Sequence, residues 1–313
     1  MSRWTSEGLA LAAAAMPQWI RPETGPERET MPDAAWDPPV PDTLRLTWLG
    51  TACFLVQTRS TTLLLDPFVS RPGLWRTLSS PLDPDPAVLE RVARWLPRPT
   101  ALLVGHAHYD HALDAAPIAG RFRAPLLASQ GMLRLARAQG LPAELAEPVA
   151  AGETHRIGDL EVTFVPSAHA PLATQWLVGG EVAEDPRPPL RLRDWRHDAV
   201  LGLRIRWRGR SLHHSGSAEV LGMPGQWAPT DVLMLCMAGW TATPGLLERV
   251  QAVLAPRVLL PMHHDDFFRP LGKGFRPLAA AREALAVNTW SRTLAVTTIA
   301  PVTRHFQQWT LTA

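Results

Sequence analysis

Three imidazoles and a carboxylate fall within six consecutive residues in the segment Gly105-His106-Ala107-His108-Tyr109-Asp110-His111-Ala112-Leu113-Asp114. Imidazole and carboxylate groups ligate zinc, iron, manganese or nickel, and near neutral pH imidazole is mostly deprotonated and free to do so. With 11 histidines in 313 residues, this spacing arises by accident roughly 0.0006 times per chain of such composition, so a merely histidine-rich turn is a poor explanation. The apolar run Ala101-Leu102-Leu103-Val104 before Gly105 reads as a short buried strand, and Ala112 to Ala119 reads as a helix behind it. The ligands therefore sit on a strand-to-helix loop. His106 and His108, two apart on extended chain, project to one side and can share a cation. Asp110 and His111 lie where the chain turns toward the helix and can face a second one.

These residues resemble the metallo-β-lactamase superfamily, whose signature is His-x-His-x-Asp-His on the loop after a strand. The resemblance extends along most of the chain. Leu46-Thr47-Trp48-Leu49-Gly50, Cys53-Phe54-Leu55-Val56 and Leu63-Leu64-Leu65-Asp66-Pro67 look like the opening strands and Asp-Pro turn of that fold. Val162 to His169 ends a strand in a histidine, Ser211 to Ser217 occupies the place of the usual Gly-Asp step, and Val258 to His263 resembles the last strand with its terminal histidine. The fold implied is an α/β arrangement (α+β in some schemes), a four-layer αββα sandwich. Tyr109 with Leu113-Asp114 resembles the branch holding L-ascorbate phosphate lactonase and N-acyl-phosphatidylethanolamine phospholipase D.

The resemblance implies that His106, His108 and His169 hold a first metal and Asp110, His111 and His263 a second, with hydroxide between them. Zinc is the expected ion, with Mn2+, Fe2+ or Ni2+ as alternatives. Asp110 is a catalytic candidate that orients the hydroxide or accepts its proton. One departure matters: Ser217 stands where most members carry a bridging aspartate, and a neutral hydroxyl is a poor replacement ligand. A dinuclear site and a single-metal site both stay open, with Glu219, His264, Asp265 or Asp266 as candidates for a fourth group. Asp66 either supports a ligand imidazole through its free N–H or closes the Asp-Pro turn. His264 is the second catalytic candidate, as a proton donor, an alternate ligand, or a residue facing away. Tyr109, His213 and His214 are expected near the pocket, whereas His155, His197 and His305 stand alone as surface or packing residues.

Composition suits one globular unit. At 34.4 kDa and 46% hydrophobic the chain can bury a large core, and the ordered motifs span residues 44–263 without an internal linker. We expect a hydrolase domain over 44–313, preceded by a helix and extended arm over 1–43. Cys53 and Cys236 each lie in an apolar run and read as buried thiols rather than a disulfide. The pI near 8.9 accompanies a formal charge of only +2, and Lys273 is the sole lysine, so no basic stripe argues for nucleic acid. No run reaches the ~18 apolar residues of a membrane span. Leu9 to Met16 reads as a short amphipathic helix in a cytoplasmic protein, export by a short signal peptide being the alternative. Val88, Leu89, Val92, Trp95 and Leu96 recur at helical spacing, and Thr243-Pro244 reads as the cap of a helix through Leu254. Gly179 to Asp198, rich in proline and arginine, reads as a lid, in which Arg187, Arg191, Arg193 and Arg196 either hold an anionic substrate group or are solvated.

The sequence is compatible with three functions. The first is a metal-dependent hydrolase using metal-bound hydroxide on a small ester, lactone or amide; the second is a phosphodiesterase, phospholipase D-like; the third is a non-catalytic binding member of the fold. The expected partner is a small-molecule substrate, with the oligomeric state not set by the sequence.

Overall fold

The computed structural model describes residues 16–23, 31–34, 36–171, 174–278, 298–299, 302 and 304–313. The helix expected at Leu9 to Met16 therefore lies almost wholly outside the described residues. In chain order the strands are β1 Ile20–Pro22, β2 Thr43–Gly50, β3 Cys53–Gln57, β4 Thr62–Leu65, β5 Ala101–Leu103, β6 Leu126–Ala128, β7 Ala146–Pro148, β8 Thr154–Ile157, β9 Leu160–Pro166, β10 Leu201–Trp207, β11 Arg210–His214, β12 Thr230–Cys236, β13 Pro256–Met262, β14 Thr298–Ile299 and β15 Gln307–Thr312. They form an eight-stranded sheet, ordered β1-β15-β2-β3-β4-β5-β6-β7, and a seven-stranded sheet, ordered β14-β13-β12-β11-β10-β9-β8.

Period-two alternation sends successive side chains of one strand into different layers. Phe54 and Val56 of β3, Leu63 and Leu65 of β4, and Val232, Met234 and Cys236 of β12 face the space between the sheets. Their neighbours Cys53, Leu55 and Leu64 face outward, into a layer closed by Val92 and Trp95 of helix Pro86–Trp95, Ile118 of helix Ala115–Phe122 and Leu133 of helix Gln130–Ala138. On the opposite side Leu233, Leu235 and Leu259 meet Leu247, Val250 and Leu254 of helix Leu246–Leu254. Both faces of β3, β4, β12 and β13 are covered, which is why these strands read as continuous apolar runs, whereas β9 and β10 turn Glu161 and Arg206 to solvent. The result is the four-layer αββα sandwich. Cys53 and Cys236 are buried free thiols, pushed up in pKa by burial.

Several local expectations shift. The residues before 44 contribute structure of their own: β1 pairs antiparallel with β15, and Trp19 beside it lies under the guanidinium groups of Arg210 and Arg257, 4.5 and 5.0 Å from its ring centre. Thr243 does not cap its helix; Gly245, in a left-handed conformation at φ 71°, is the residue before Leu246, and the Thr243 hydroxyl turns back to the Gly239 carbonyl at 3.1 Å. Two helices, Tyr109–Ala112 within the histidine motif and Ala115–Phe122 behind it, replace the one expected from Ala112 to Ala119.

Asp114 marks that break and explains it. Its buried carboxylate accepts the N–H groups of Val69 at 2.6 Å and Ser70 at 2.9 Å, and also the Ser70 hydroxyl. Burial pushes its pKa up to about 6, against the opposing pull of those donors. The loop after β4 is thereby tied to the histidine motif. Asp114→Ala leaves two buried N–H donors without an acceptor, so urea unfolding should show a loss of about 2–4 kcal/mol.

Candidate metal centre

Every residue of the motif set sits at the carboxyl end of a strand. Asp66 follows β4, the His106 to His111 segment follows β5, His169 follows β9, Ser217 follows β11 and His263 follows β13. Strands β4 and β5 run parallel, as do β11, β12 and β13, so these ends open on one edge of the sandwich. Two glycines let the edges meet. A Cβ on Gly216 would lie 1.9 Å from the Leu201 carbonyl oxygen, and one on Gly105 would lie 2.8 Å from the same atom. Only glycine fits at either position.

Two triads result. His106, His108 and His169 bring ligand atoms within 4.8 Å of one another, and so do Asp110, His111 and His263. The triads adjoin, since the rings of His106 and His111 are 3.9 Å apart between centres.

The first triad is defined by where its protons go. His106 Nδ1 donates to the Gly216 carbonyl at 3.1 Å, His108 Nε2 to the Val178 carbonyl at 3.1 Å, and His169 Nδ1 to the Ala170 carbonyl at 2.8 Å. A neutral imidazole carries one N–H, so the remaining nitrogens, Nε2, Nδ1 and Nε2, present lone pairs. His106 Nε2 and His108 Nδ1 then face each other at 3.2 Å. A second proton is not available to relieve them, because burial holds His106 well below its ordinary value, His108 at about 3 and His169 at about 4. Converging lone pairs in a buried cluster repel unless a cation lies among them, so this donor set fits a divalent metal.

The second triad is arranged by Asp66. Its Oδ2 accepts His111 Nδ1–H at 2.7 Å and its Oδ1 accepts the Gly105 N–H at 2.7 Å, so one carboxylate orients a ligand ring and closes the turn that launches the motif. Burial lowers the His111 pKa, yet the Asp66 carboxylate more than offsets this and raises it. Burial likewise raises Asp110, but the hydrogen bond from His263 and the neighbouring imidazoles hold its carboxyl well below the usual range. His263 Nε2 lies 3.1 Å from Asp110 Oδ2.

Comparison with known proteins agrees with this geometry. The beta-lactamase superfamily domain model matches residues 61–264, well over half of the chain. The chain belongs to the metallo-β-lactamase superfamily. Among curated superfamily relatives, a UPF0173 metal-dependent hydrolase of Anaeromyxobacter sp. (strain K) is 28% identical over 232 residues, covering 71% of this chain and 75% of that protein. Another from Pyrobaculum arsenaticum is 26% identical over 230 residues, covering 72% and 85%. Among solved structures, Igni18, a metallo hydrolase from Ignicoccus hospitalis, superposes with a TM-score of 0.55 at 18% identity over 87% of this chain and 99% of its own. CmlA, a diiron beta-hydroxylase from Streptomyces venezuelae, gives 0.53 at 19% identity over 88% and 55%. At such identities the two structures speak for the superfamily fold alone.

Other expected residues lie elsewhere. His264 turns away from the triads: it is fully buried, stacks on Trp48 at 5.2 Å with rings 4° from parallel, and donates to the Val302 carbonyl at 2.8 Å. That corrects its candidacy as proton donor. Tyr109 packs edge-on against Phe68 inside the apolar layer, and burial pushes its phenol pKa well up. His214 lies beneath the site, donating to the Ala52 carbonyl at 2.9 Å and accepting the Gly216 N–H at 3.2 Å. Ser217 is buried next to Gly216. None of the candidate fourth groups joins a triad among the described residues: Glu219 is paired with Arg249 at 2.6 Å, Asp266 accepts the Phe268 N–H at 3.3 Å, and Asp265 is paired with Arg71.

Two histidines set aside as solitary are not. His305 lies 2.9 Å from Asp265 in a buried cluster with Arg71. His197 stands against the first triad, its ring 5.9 Å from His169 and 5.8 Å from His108. The 179–198 segment that carries it is anchored, with Trp195, Leu190 and Val182 buried in the outer apolar layer. Ala107 N–H donates to the His197 carbonyl at 3.0 Å, and His197 N–H to the Val178 carbonyl at 3.0 Å. No spacing in the sequence signals this, because His197 reaches the site through a loop without period.

Asp66→Asn keeps the shape but loses the charge that orients His111. It should weaken cation binding by about 10- to 100-fold in a metal titration of the stripped protein.

Proposed function

We propose that this metal-dependent hydrolase of the metallo-β-lactamase superfamily acts on a small ester, lactone or amide. The observation that carries the reading is the set of three imidazole lone pairs, each fixed by a carbonyl behind it, converging beside an Asp-His-His triad. His106, His108 and His169 would hold one divalent cation and Asp110, His111 and His263 a second. Three imidazoles suit zinc. Cations held there supply Lewis acidity, lowering the pKa of water and polarising the oxygen under attack.

The protein's own groups do the remainder. Asp66 keeps His111 aimed, and Asp110, held ionised among imidazoles, is the carboxylate placed to orient a water by accepting its hydrogen bond. His197 forms a wall beside the first triad, and Phe267 lies edge-on to His263 at 5.3 Å. Trp176, 78% exposed, stands two residues before the carbonyl that holds His108, which gives the rim an apolar surface for a substrate body.

Three of the four candidate arginines of the 179–198 segment are engaged by the fold, and the exposed Arg193 is the fourth. Arg187 folds onto Asp185 at 2.7 Å, Arg191 donates to the Ser79 carbonyl at 3.2 Å, and Arg196 donates to the Gly179 carbonyl at 2.8 Å. Arginines already bonded to the fold suit a neutral substrate better than a phosphodiester, whose anionic oxygens a free guanidinium fork would grip.

A panel of lactones, aryl esters and aryl phosphodiesters separates the readings. We expect turnover of lactones or esters that a chelator abolishes and added zinc restores, and that the His106→Ala/His108→Ala double variant loses. Full turnover by that variant would overturn the metal mechanism, and turnover of phosphodiesters alone would overturn the substrate class.

A further inference from the structure

Four of the five histidines in the two triads have their far nitrogen fixed by an acceptor: Gly216, Val178 and Ala170 carbonyls for His106, His108 and His169, and the Asp66 carboxylate for His111. His263 is the exception. Its Nδ1 is buried and has no hydrogen-bond partner among the described residues. A ligand ring normally owes its orientation to such a partner, so something else must hold His263.

Besides the edge contact of Phe267 with the ring, its backbone is held. His263 N–H donates to the Thr51 carbonyl at 2.8 Å. Thr51 is itself gripped from the other side, its N–H by Asp265 Oδ1 at 2.9 Å and its hydroxyl by the Arg71 guanidinium at 3.1 Å. Arg71 and Asp265 form an ion pair with both side chains fully buried, and His305 contacts both, at 3.2 and 2.9 Å. Thr51, Arg71 and His263 all adopt left-handed backbone, at φ 51°, 46° and 58°. Such conformations in residues bearing a Cβ, above all a β-branched threonine, persist only where surrounding bonds over-determine them. Gly50 makes room: a Cβ there would lie 3.1 Å from both the Arg71 guanidinium and the Asp265 carboxylate.

We propose that the buried Arg71–Asp265 pair is a positioning device for the second triad, acting on His263 through Thr51. Asp265 thus serves the second cation without touching it. Its importance is greater in this chain because Ser217 offers no carboxylate to share between the two triads, leaving Asp110, His111 and His263 to retain the second ion unaided. The inference rests on the reading that the second triad holds a cation.

The test uses the full chain, stripped by chelator and titrated with Co2+ by calorimetry and visible absorption. The wild type should take up two equivalents. Asp265→Asn should keep the first at unchanged affinity and weaken the second by about 10- to 100-fold. Because that variant leaves Arg71 buried without a counter-charge, the Arg71→Met/Asp265→Leu double variant provides an apolar replacement with no buried charge, expected to fold with a melting midpoint lowered by the loss of the acceptor for the buried Thr51 N–H. It should show the same selective loss. A merely structural pair would not discriminate between the triads, so equal weakening of both equivalents, or wild-type affinity for both, overturns the proposal. A wild-type chain that takes up only one equivalent overturns the reading of the second triad and the positioning device with it.

Discussion

The structure turns on a restriction of imidazole chemistry: one neutral ring has one proton. Where a backbone carbonyl takes that proton, the other nitrogen has only an electron pair to offer. At His106, His108 and His169 the carbonyls of Gly216, Val178 and Ala170 impose that choice, and the three remaining nitrogens meet. Burial keeps the rings from escaping the conflict by protonation. A site of this kind is incomplete as protein alone.

The sandwich exists, in functional terms, to aim those carbonyls. Gly216 reaches His106 only because it can sit against Leu201 of the adjacent strand β10, and Gly105 must also come close to Leu201, from the other sheet, for the motif to leave β5 at the right angle. Asp66 seals the same corner by binding the Gly105 N–H and the His111 ring with one carboxylate. Distant parts of the chain are thus fixed relative to one another by backbone contacts near van der Waals limits, which tolerate little displacement.

Much of this was legible in the sequence, for identifiable reasons. The His106 to His111 spacing is local, so residue types alone expose it. The strands β3, β4, β12 and β13 are buried on both faces and read as unbroken apolar runs, and the helix Pro86–Trp95 shows its packing face in the spacing of Val88, Leu89, Val92 and Trp95. The failures share a cause as well. His264 and His263 differ by one position on a turn whose left-handed backbone at His263 redirects the side chain, and strand alternation gives no warning of that. The ion pair of Arg71 with Asp265 joins residues 194 apart in sequence, and His197 arrives on a loop held by scattered hydrogen bonds. Thr243 has the chemistry of a cap, but Gly245, free to adopt a left-handed conformation, stands closer to the first turn and takes the position. Long-range polar contacts of this sort leave no periodic trace.

The Val178 carbonyl accepts from two donors, the His108 ring and the His197 backbone. It therefore belongs at once to the inorganic centre and to the root of the wall beside it. If that root swings outward, the His108 proton loses its acceptor and the ring is free to rotate its lone pair away. Holding that wall in place and keeping the His108 lone pair aimed are then one requirement, met by a single carbonyl oxygen.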